Sequence, residues 1–296
     1  MENSFISYVL LPASLGLLMF GIGLSLTVKD FYQILHRPRA LFIGLAGQML
    51  ILPLIAFALA SLMNLPAEIK VGFVIIAACP GGATSNLITY LLRGNVALSI
   101  SLTSINSFIT LITVPLIIYF GLYLFMGEGE TLRLPIGKTI INIFIITIIP
   151  VSAGILLKYF RPFLARKIEK PGRFVLPILF FIIYLTAIFL GSGKGGENEI
   201  SSIYFKVIPW ALALNLIGMS TGFFSAKWFG YGKENQITLS VEIGIQNSAL
   251  AITIASSALF LGNPVMAIPA IVYGLFTFIT AVVFGFLIKR SVKIQW

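Results

Sequence analysis

Residues 79–86 read CPGGATSN and stand in the middle of a segment that is otherwise apolar enough to cross a bilayer. Pro80 removes a backbone donor and clashes with the preceding helical turn, and the two glycines after it carry the largest entropic cost of helix formation. Backbone polar groups freed at membrane depth are tolerated only where protein or a water-filled cavity satisfies them. This stretch therefore predicts a helix broken inside the membrane, a feature typical of ion-coupled transporters.

The composition around this break is that of a polytopic membrane protein. Hydrophobic residues make up 58% and charged residues 10% of the 296 residues, and the mean hydropathy is +1.01, whereas a soluble domain carries about 25% charged residues. The net charge of +10 is spread over the links between apolar segments, so it reports topology and does not indicate nucleic-acid binding. A single cysteine excludes a disulfide framework and a site with several thiolate ligands.

Apolar stretches of about 18 residues or more predict an all-α protein with nine transmembrane helices. They lie near 5–27, 40–63, 70–92, 96–126, 137–158, 173–193, 202–229, 236–261 and 264–288, and the longest polar link is 158–173. The first stretch has no basic leader and no small-residue cleavage site, so we expect a membrane span there and not a cleaved signal. No segment predicts a soluble domain, and residues 1–296 are expected to form one transmembrane transporter domain.

Lysine and arginine are divided unevenly between the two sides that these spans define. Most of them, including the basic residues of 158–173, fall on one side, and most of the acidic residues fall on the other. Because cytoplasmic loops carry the excess of basic residues, the basic side is assigned to the cytoplasm. We therefore expect the N-terminus outside and the C-terminus in the cytoplasm.

A second interruption falls in the eighth predicted span, where residues 242–248 read EIGIQNS. Each break is followed by a related phrase, GNVALS at 94–99 and GNPVMA at 262–267. The breaks lie five spans apart and hence in oppositely oriented helices. They predict inverted repeats, about 1–126 with four spans and about 137–296 with five, whose broken helices cross near the bilayer midplane.

Glu242 is the one acidic residue that we place deep in a predicted span. A buried ionised carboxylate is costly unless a cation or hydrogen bonds compensate it, so we interpret Glu242 as a sodium ligand, with a protonated structural glutamate as the alternative. Gln246 lies one helical turn further, and the break frees nearby backbone carbonyls. Oxygen-bearing side chains that suit sodium in the other repeat are those of Gln48, Ser85, Asn86, Ser99 and Thr103. The spacing of Ser99 and Thr103 is equally typical of ordinary packing between membrane helices.

These motifs closely resemble those of the bile acid:sodium symporter family, especially its bacterial members. The strings that carry the resemblance are CPGGATSNLITYLLRGNVALS at 79–99, VEIGIQNSALA at 241–251, FGIGLSL at 20–26 and GQMLILP at 47–53. The resemblance covers nearly the whole chain and implies a core domain, a panel domain and two co-transported sodium ions. One implied sodium site consists of Ser85, Asn86, Ser99, Thr103 and Glu242. The other consists of Gln48, Gln246, Glu242 and the carbonyls of Ile243 and Ile245.

The chain departs from the bacterial pattern of this family in two places. Many bacterial relatives have ten spans, and we expect this chain to start at their second, as mammalian members do. The helix that is absent belongs to the panel, so coupling should survive its loss. A His-Asn pair that faces the substrate in bacterial relatives is replaced here by Thr277 and Phe278, which leaves the identity of the substrate open.

The sequence therefore predicts a secondary active symporter, not an enzyme, that imports an organic anion with sodium by alternating access. The anion could be bile-salt-like or a small carboxylate such as a hydroxy or keto acid. Helix N-termini after the breaks suit a carboxylate or sulfonate, and the expected substrate-binding residues are Thr84, Asn86, Asn247, Tyr273 and Thr277. The expected surroundings are the lipid bilayer of a bacterial inner (plasma) membrane, with no nucleic acid and no obligate protein partner indicated.

Other functions compete with sodium symport at this stage. A proton-coupled carrier or exchanger would use Glu242 as its titrating group, and a non-transporting membrane receptor would bind a ligand without flux. An intramembrane hydrolase is disfavoured because the predicted spans hold one carboxylate, one cysteine and no histidine. Metalloid-efflux carriers also use a cysteine near a broken helix, but the motifs around Cys79 favour the bile acid group.

Overall fold

A computed structural model describes residues 6–26, 38–127, 136–191 and 197–290 of the chain. Within these ranges every regular element is helical, apart from one isolated bridge, so the predicted all-α class is confirmed. In the first half the helices are α1 (Leu11–Ser25, after a π-helical turn at Ile6–Leu10), α2 (Pro38–Ala46 and Leu52–Leu62, joined by a π-helical turn at Gly47–Ile51), α3 (Ala67–Ala78), α4 (Ala83–Leu91) and α5 (Val96–Met126).

The described part of the second half is also helical. Its helices are α6 (Ile136–Ile143 and Ile149–Phe160, joined by a π-helical turn at Phe144–Ile148), α7 (Pro162–Gly191), α8 (Glu197–Trp228), α9 (Lys233–Gly244), α10 (Ser248–Ser256) and α11 (Ile268–Arg290, after a 3₁₀ turn at Pro264–Ala267). The π-helical turns in α2 and α6 are each followed directly by a proline-containing helix start, at Pro53 and Pro150. Proline cannot donate to the carbonyl four residues earlier, which loosens the turn before it.

Both predicted helix breaks are present. The first separates α3 from α4 at residues 79–82, and the second separates α9 from α10 at residues 245–247. The second break is narrower than the interruption predicted over 242–248, because α9 remains helical through Gly244 and Asn247 immediately caps the next helix. The Asn247 side chain accepts a hydrogen bond from the Leu250 N–H at 3.0 Å. Glu242 therefore stands on a helix, while Gln246 lies in the break itself.

Six helices in the described ranges are long and apolar enough to cross a membrane. They are Tyr8–Ser25, Pro38–Leu62, Val96–Met126, Ile140–Phe160, Ser202–Trp228 and Pro264–Ile288. Two other predicted spans are the broken ones, and the last lies within α7. The polar link predicted at 158–173 is itself largely helical, since α7 begins at Pro162 and Arg161 alone separates it from α6. The count of nine spans and the inverted repeat stay predictions.

Three helices, α1, α6 and α7, pack against one another, and α1 also contacts α10 beyond the second break. Gly23 of α1 lies directly on the backbone of Val151 in α6, and a Cβ at Gly23 would overlap the Val151 carbonyl. Small residues of this kind let membrane helices approach closely. The division of the chain into panel and core stays a prediction.

The surface of the helices is apolar in the way that a lipid environment favours. Leu54 is 66% exposed, Phe120 58% and Phe286 68%, each on a helix long enough to span a bilayer. A water-soluble surface rarely carries such large apolar side chains in extended rows. The interior, in contrast, holds the polar side chains: Glu242, Gln48 and Ser99 are all buried.

Candidate ion and substrate site

The two helix breaks lie against each other. The Asn247 N–H of the second break donates to the Cys79 carbonyl of the first at 3.0 Å, and Pro80 pairs with Gln246 in an antiparallel bridge. Gly81 has to be glycine, because a Cβ there would lie 2.5 Å from the carbonyl oxygen of Ile245. Each break thus satisfies part of the backbone that the other leaves free, as the interior of a membrane requires.

Glu242 lies at the centre of a buried oxygen cluster that three helices, α4, α5 and α9, build. Its carboxylate accepts from the Ser99 hydroxyl at 2.6 Å and from the Thr103 hydroxyl at 3.4 Å, both on α5. The same two hydroxyls face the side-chain oxygen of Asn86 on α4, at 2.7 Å and 3.3 Å. The hydroxyl of Ser85 also faces the carboxylate. The structure therefore brings together all five residues of the first predicted sodium site.

This cluster holds more oxygen acceptors than protons. Ser99 and Thr103 each have one hydroxyl proton, yet each hydroxyl faces both Glu242 and Asn86. The single Ser85 proton likewise has two acceptors within reach, the Gly82 carbonyl at 2.9 Å and the carboxylate. Within the described ranges no cationic side chain pairs with Glu242, which is only 2% exposed. An oxygen-rich, proton-poor cluster around a buried carboxylate is chemically suited to a hard cation.

Three residues of the second predicted sodium site, Gln48, Gln246 and Ile243, meet in a different way. Gln48, on the π-helical turn of α2, and Gln246, in the second break, form a reciprocal amide pair. The Gln48 nitrogen donates to the Gln246 oxygen at 2.8 Å, and the Gln246 nitrogen donates back at 3.2 Å and to the Ile243 carbonyl at 2.8 Å. The Gln246 amide nitrogen thus stands between two of the predicted oxygen ligands, and the Ile245 carbonyl lies against Gly81.

The end of α9 has a support that the sequence did not predict. Asn215, on α8, donates to the Gly244 carbonyl at 2.6 Å, and the Tyr273 hydroxyl of α11 donates to the same carbonyl. Both side chains are completely buried. A single asparagine in the otherwise apolar centre of α8 was the one signal available for this contact. Tyr273, predicted to bind substrate, has its hydroxyl committed to the backbone of the break.

The other predicted substrate residues fall in two places. Thr84 lies in the first turn of α4, and the Asn247 amide nitrogen lies 3.5 Å from where a Gly82 Cβ would stand, so both flank the start of that helix. Ile22 of α1 also packs against Gly82. Thr277 is buried within α11, where its hydroxyl donates to the Tyr273 carbonyl at 2.9 Å. Asn86 faces the Glu242 cluster.

The comparison with protein families identifies one match over most of the chain. Residues 12–199 match the model of the Sodium Bile acid symporter family. A relative from Bacillus subtilis (strain 168), the "Uncharacterized sodium-dependent transporter YocS", is 32% identical over 260 residues, which cover 88% of this chain and 76% of the relative.

Plant and human relatives align over a similar part of the chain. The "Probable sodium/metabolite cotransporter BASS2, chloroplastic" of Oryza sativa subsp. japonica is 30% identical over 89% of this chain, and the aligned region spans 60% of the length of that relative. The human "Sodium-dependent organic anion transporter" is 28% identical over 94% of this chain and 71% of its own length.

Proposed function

Because the chain belongs to the sodium bile acid symporter family, we propose that it imports an organic anion together with sodium by alternating access. The observation that carries this proposal is the Glu242 cluster, where acceptors outnumber protons around a buried carboxylate that has no cationic partner within the described ranges. Leaving a buried charge uncompensated is strongly unfavourable. A sodium ion supplies the missing positive charge and accepts the oxygen ligands that the cluster offers.

The first sodium ion would be held by Glu242 and by the side-chain oxygens around it. Ser99 and Thr103 can turn their protons away from an ion and present their lone pairs, since a hydroxyl both donates and accepts. Ser85 can do the same, because the Gly82 carbonyl at 2.9 Å can accept its proton. Asn86 contributes its amide oxygen, which faces both hydroxyls.

The second sodium ion would require a local change at the amide pair. Half a turn of the Gln246 amide would exchange its nitrogen for its oxygen beside the Gln48 oxygen and the Ile243 carbonyl. The same turn would place the Gln246 nitrogen against the Gln48 nitrogen, which now donates to the Gln246 oxygen at 2.8 Å, so the Gln48 nitrogen would have to move away. Three oxygens would then face one another where two oxygens and one nitrogen do so now. The ion would replace the hydrogen bonds of the amide nitrogen, and Glu242 and the Ile245 carbonyl are the remaining proposed ligands.

The substrate would bind beside the start of α4. Gly82 precedes this helix without a side-chain cap, and unpaired N–H groups at a helix N-terminus favour a carboxylate or sulfonate. Thr84, Asn86 and Asn247 are the side chains proposed to face the anion. Tyr273 and Thr277 are proposed to shape the same site from α11, with Tyr273 also holding the break.

Sodium and substrate transport are coupled in this proposal because the ions and the anion bind at the same two helix breaks. Two sodium ions with one monovalent anion carry a net positive charge inward, and each charge moved across the membrane is worth about 2.3 kcal/mol per 100 mV.

The proposed orientation has the N-terminus outside and the C-terminus in the cytoplasm, and the proposed location is a plasma membrane. Nine spans in two inverted repeats are the proposed framework.

The test is a screen of small organic anions against the purified chain in sodium and in potassium at equal ionic strength. A ligand that binds the folded state stabilises it by mass action, and coupling requires each ligand to tighten the other. We expect sodium to raise the melting temperature, and at least one anion to raise it further only with sodium. Uptake of that anion into proteoliposomes should need an inward sodium gradient. Stabilisation and uptake that follow pH and ignore sodium would assign Glu242 to a proton instead.

A further inference from the structure

Asn106, on α5, has a buried side-chain oxygen without a hydrogen-bond partner among the residues that the structure describes. The residue is only 1% exposed. Buried polar groups are almost always satisfied, and an unsatisfied one carries its full desolvation cost. This oxygen therefore needs either a cation or a hydrogen-bond donor as its partner.

Asn106 lies on the face of α5 that carries the Glu242 cluster. It follows Thr103 by three residues and Ser99 by seven, spacings that place all three side chains on one side of an α-helix. The rise of about 1.5 Å per residue puts Asn106 roughly 4.5 Å beyond Thr103 along the helix axis. Further along the same face, the Thr110 hydroxyl has its own acceptor, the Ser107 carbonyl at 3.2 Å.

Contacts with α2 show what this part of α5 faces. Leu102 packs against Gly44, and the Thr113 hydroxyl lies 3.5 Å from the sulfur of Met49. Asn106 lies between Leu102 and Thr113 on α5, just as Gln48 lies between Gly44 and Met49 on α2. The two helices run in the same direction along this interface, so Asn106 belongs to the stretch that also carries Gln48.

We propose that the Asn106 side-chain oxygen is a further sodium-binding oxygen, positioned between the Glu242 cluster and the Gln48–Gln246 pair. An amide oxygen is a ligand that a hard monovalent cation accepts readily. The Asn106 oxygen would lie between the two ions, because it is one helical turn beyond Thr103 and beside the helix that bears Gln48. This inference rests on the proposed sodium coupling and adds a ligand to it.

The experiment titrates sodium, with choline keeping the ionic strength constant, while the thermal stability of the full-length chain is followed. Asn106→Leu removes the oxygen and keeps the number and branching of the side-chain heavy atoms. We expect the half-maximal sodium concentration to rise about tenfold, the loss expected when one oxygen among several leaves a cation. Without sodium, the melting temperature should stay equal or rise, because the variant no longer buries an unpaired oxygen.

Ser104→Ala is the matched control. Ser104 is as deeply buried on the same helix, but its hydroxyl donates to the Ile100 carbonyl at 2.7 Å on a different face. Its sodium midpoint should equal that of the wild type. Asn106→Ser, which is smaller and keeps an oxygen, serves if the leucine variant does not fold, and it should shift the midpoint in the same direction.

Equal sodium midpoints in the wild type, Ser104→Ala and the Asn106 variants would overturn the inference while leaving sodium coupling intact. A loss of sodium-free stability in Asn106→Leu with an unchanged midpoint would likewise overturn it and give the residue a purely structural role. If sodium fails to stabilise the wild type at all, both this inference and the proposed function fall.

Discussion

The Glu242 cluster and the Gln48–Gln246 pair lie at the same pair of helix breaks but are built on opposite principles. The first has a carboxylate and too few protons, so its groups compete for the hydroxyls of Ser99 and Thr103. The second is neutral, and each of its two amides both donates to and accepts from the other. Within the described ranges the Glu242 cluster has no positive charge to pair with its carboxylate. In the amide pair, the Gln246 nitrogen occupies the place between oxygens that a cation would take.

This difference implies an order of binding. A cation entering the Glu242 cluster compensates a charge and breaks few favourable contacts. A cation entering at Gln246 must first displace hydrogen bonds that each contribute about 0.5–1.5 kcal/mol. We therefore expect the first ion at Glu242 and the second, weaker one at the amide pair.

The largest effect is expected from Glu242 itself. Glu242→Ala should abolish sodium-dependent uptake while leaving expression and folding largely intact, because no other carboxylate lies in the described cluster. Glu242→Gln should also be severely impaired, since an amide offers an oxygen but no compensating charge. Uptake into proteoliposomes at limiting sodium is the measurement. Retention of half or more of the wild-type rate by Glu242→Ala would contradict the assignment.

Single ligand losses should have intermediate effects that separate the two regions. Ser99→Ala and Gln48→Ala should each raise the sodium concentration for half-maximal uptake roughly tenfold, because other ligands remain at each site. Ser99→Ala should weaken the first binding step, and Gln48→Ala only the second. Sodium titrations of uptake check this. Unchanged sodium dependence in both variants, or a wild-type Hill coefficient near one, would count against ligands divided between two ions.

A smaller effect is expected at the support behind the second break. Tyr273→Phe should lower thermal stability by about 1 kcal/mol, because the Gly244 carbonyl keeps its hydrogen bond from Asn215. Asn215→Leu should cost more, since the Asn215 amide nitrogen donates both to the Gly244 carbonyl and to the Tyr273 hydroxyl. Thermal denaturation without substrate measures both. If Tyr273→Phe weakens anion binding while stability is unaffected, the hydroxyl belongs to the substrate site and its contact to Gly244 is dispensable.

The smallest change in sodium binding, but a change in selectivity, is expected around α4. Asn247→Asp keeps the acceptor that caps α10 through the Leu250 N–H, and replaces the amide nitrogen near Gly82 by a charged oxygen that repels an anion. It should weaken anion binding and leave sodium binding without substrate nearly unchanged. Thr277→Ala should shift the ranking among anions. A large loss of sodium binding in both variants would move these residues into the ion site.

Much of this arrangement could be predicted from the sequence, for identifiable reasons. The break at 79–82 follows from Pro80 and the adjacent glycines, whose effect on a helix is local. Glu242 stood out because a carboxylate is rare in a membrane span. The remaining candidate ligands came from the resemblance of the motifs to the bile acid:sodium symporter family. The structure brings these residues together around Glu242 and Gln246.

What the sequence could not predict depends on tertiary contacts. The pairing of Gln48 with Gln246 is set by the side-chain rotamers of two residues that are far apart in the sequence. The second break proved narrower because Asn247 caps α10, a detail of backbone geometry. In the sequence, Asn215 and Asn106 look like any polar residue that joins membrane helices. Asn215 is distinguished by its contact with Gly244, and Asn106 by an oxygen that has no partner within the described ranges.

Direct sodium binding tests the central claim most plainly, because it needs no knowledge of the substrate. Radioactive sodium bound to the purified chain would be counted for the wild type, Glu242→Ala and the control Ser104→Ala. The account predicts saturable binding of two ions per chain in the wild type and the control, and loss of that binding in Glu242→Ala. Equal binding in Glu242→Ala and the wild type, or no saturable binding in the wild type, would contradict it.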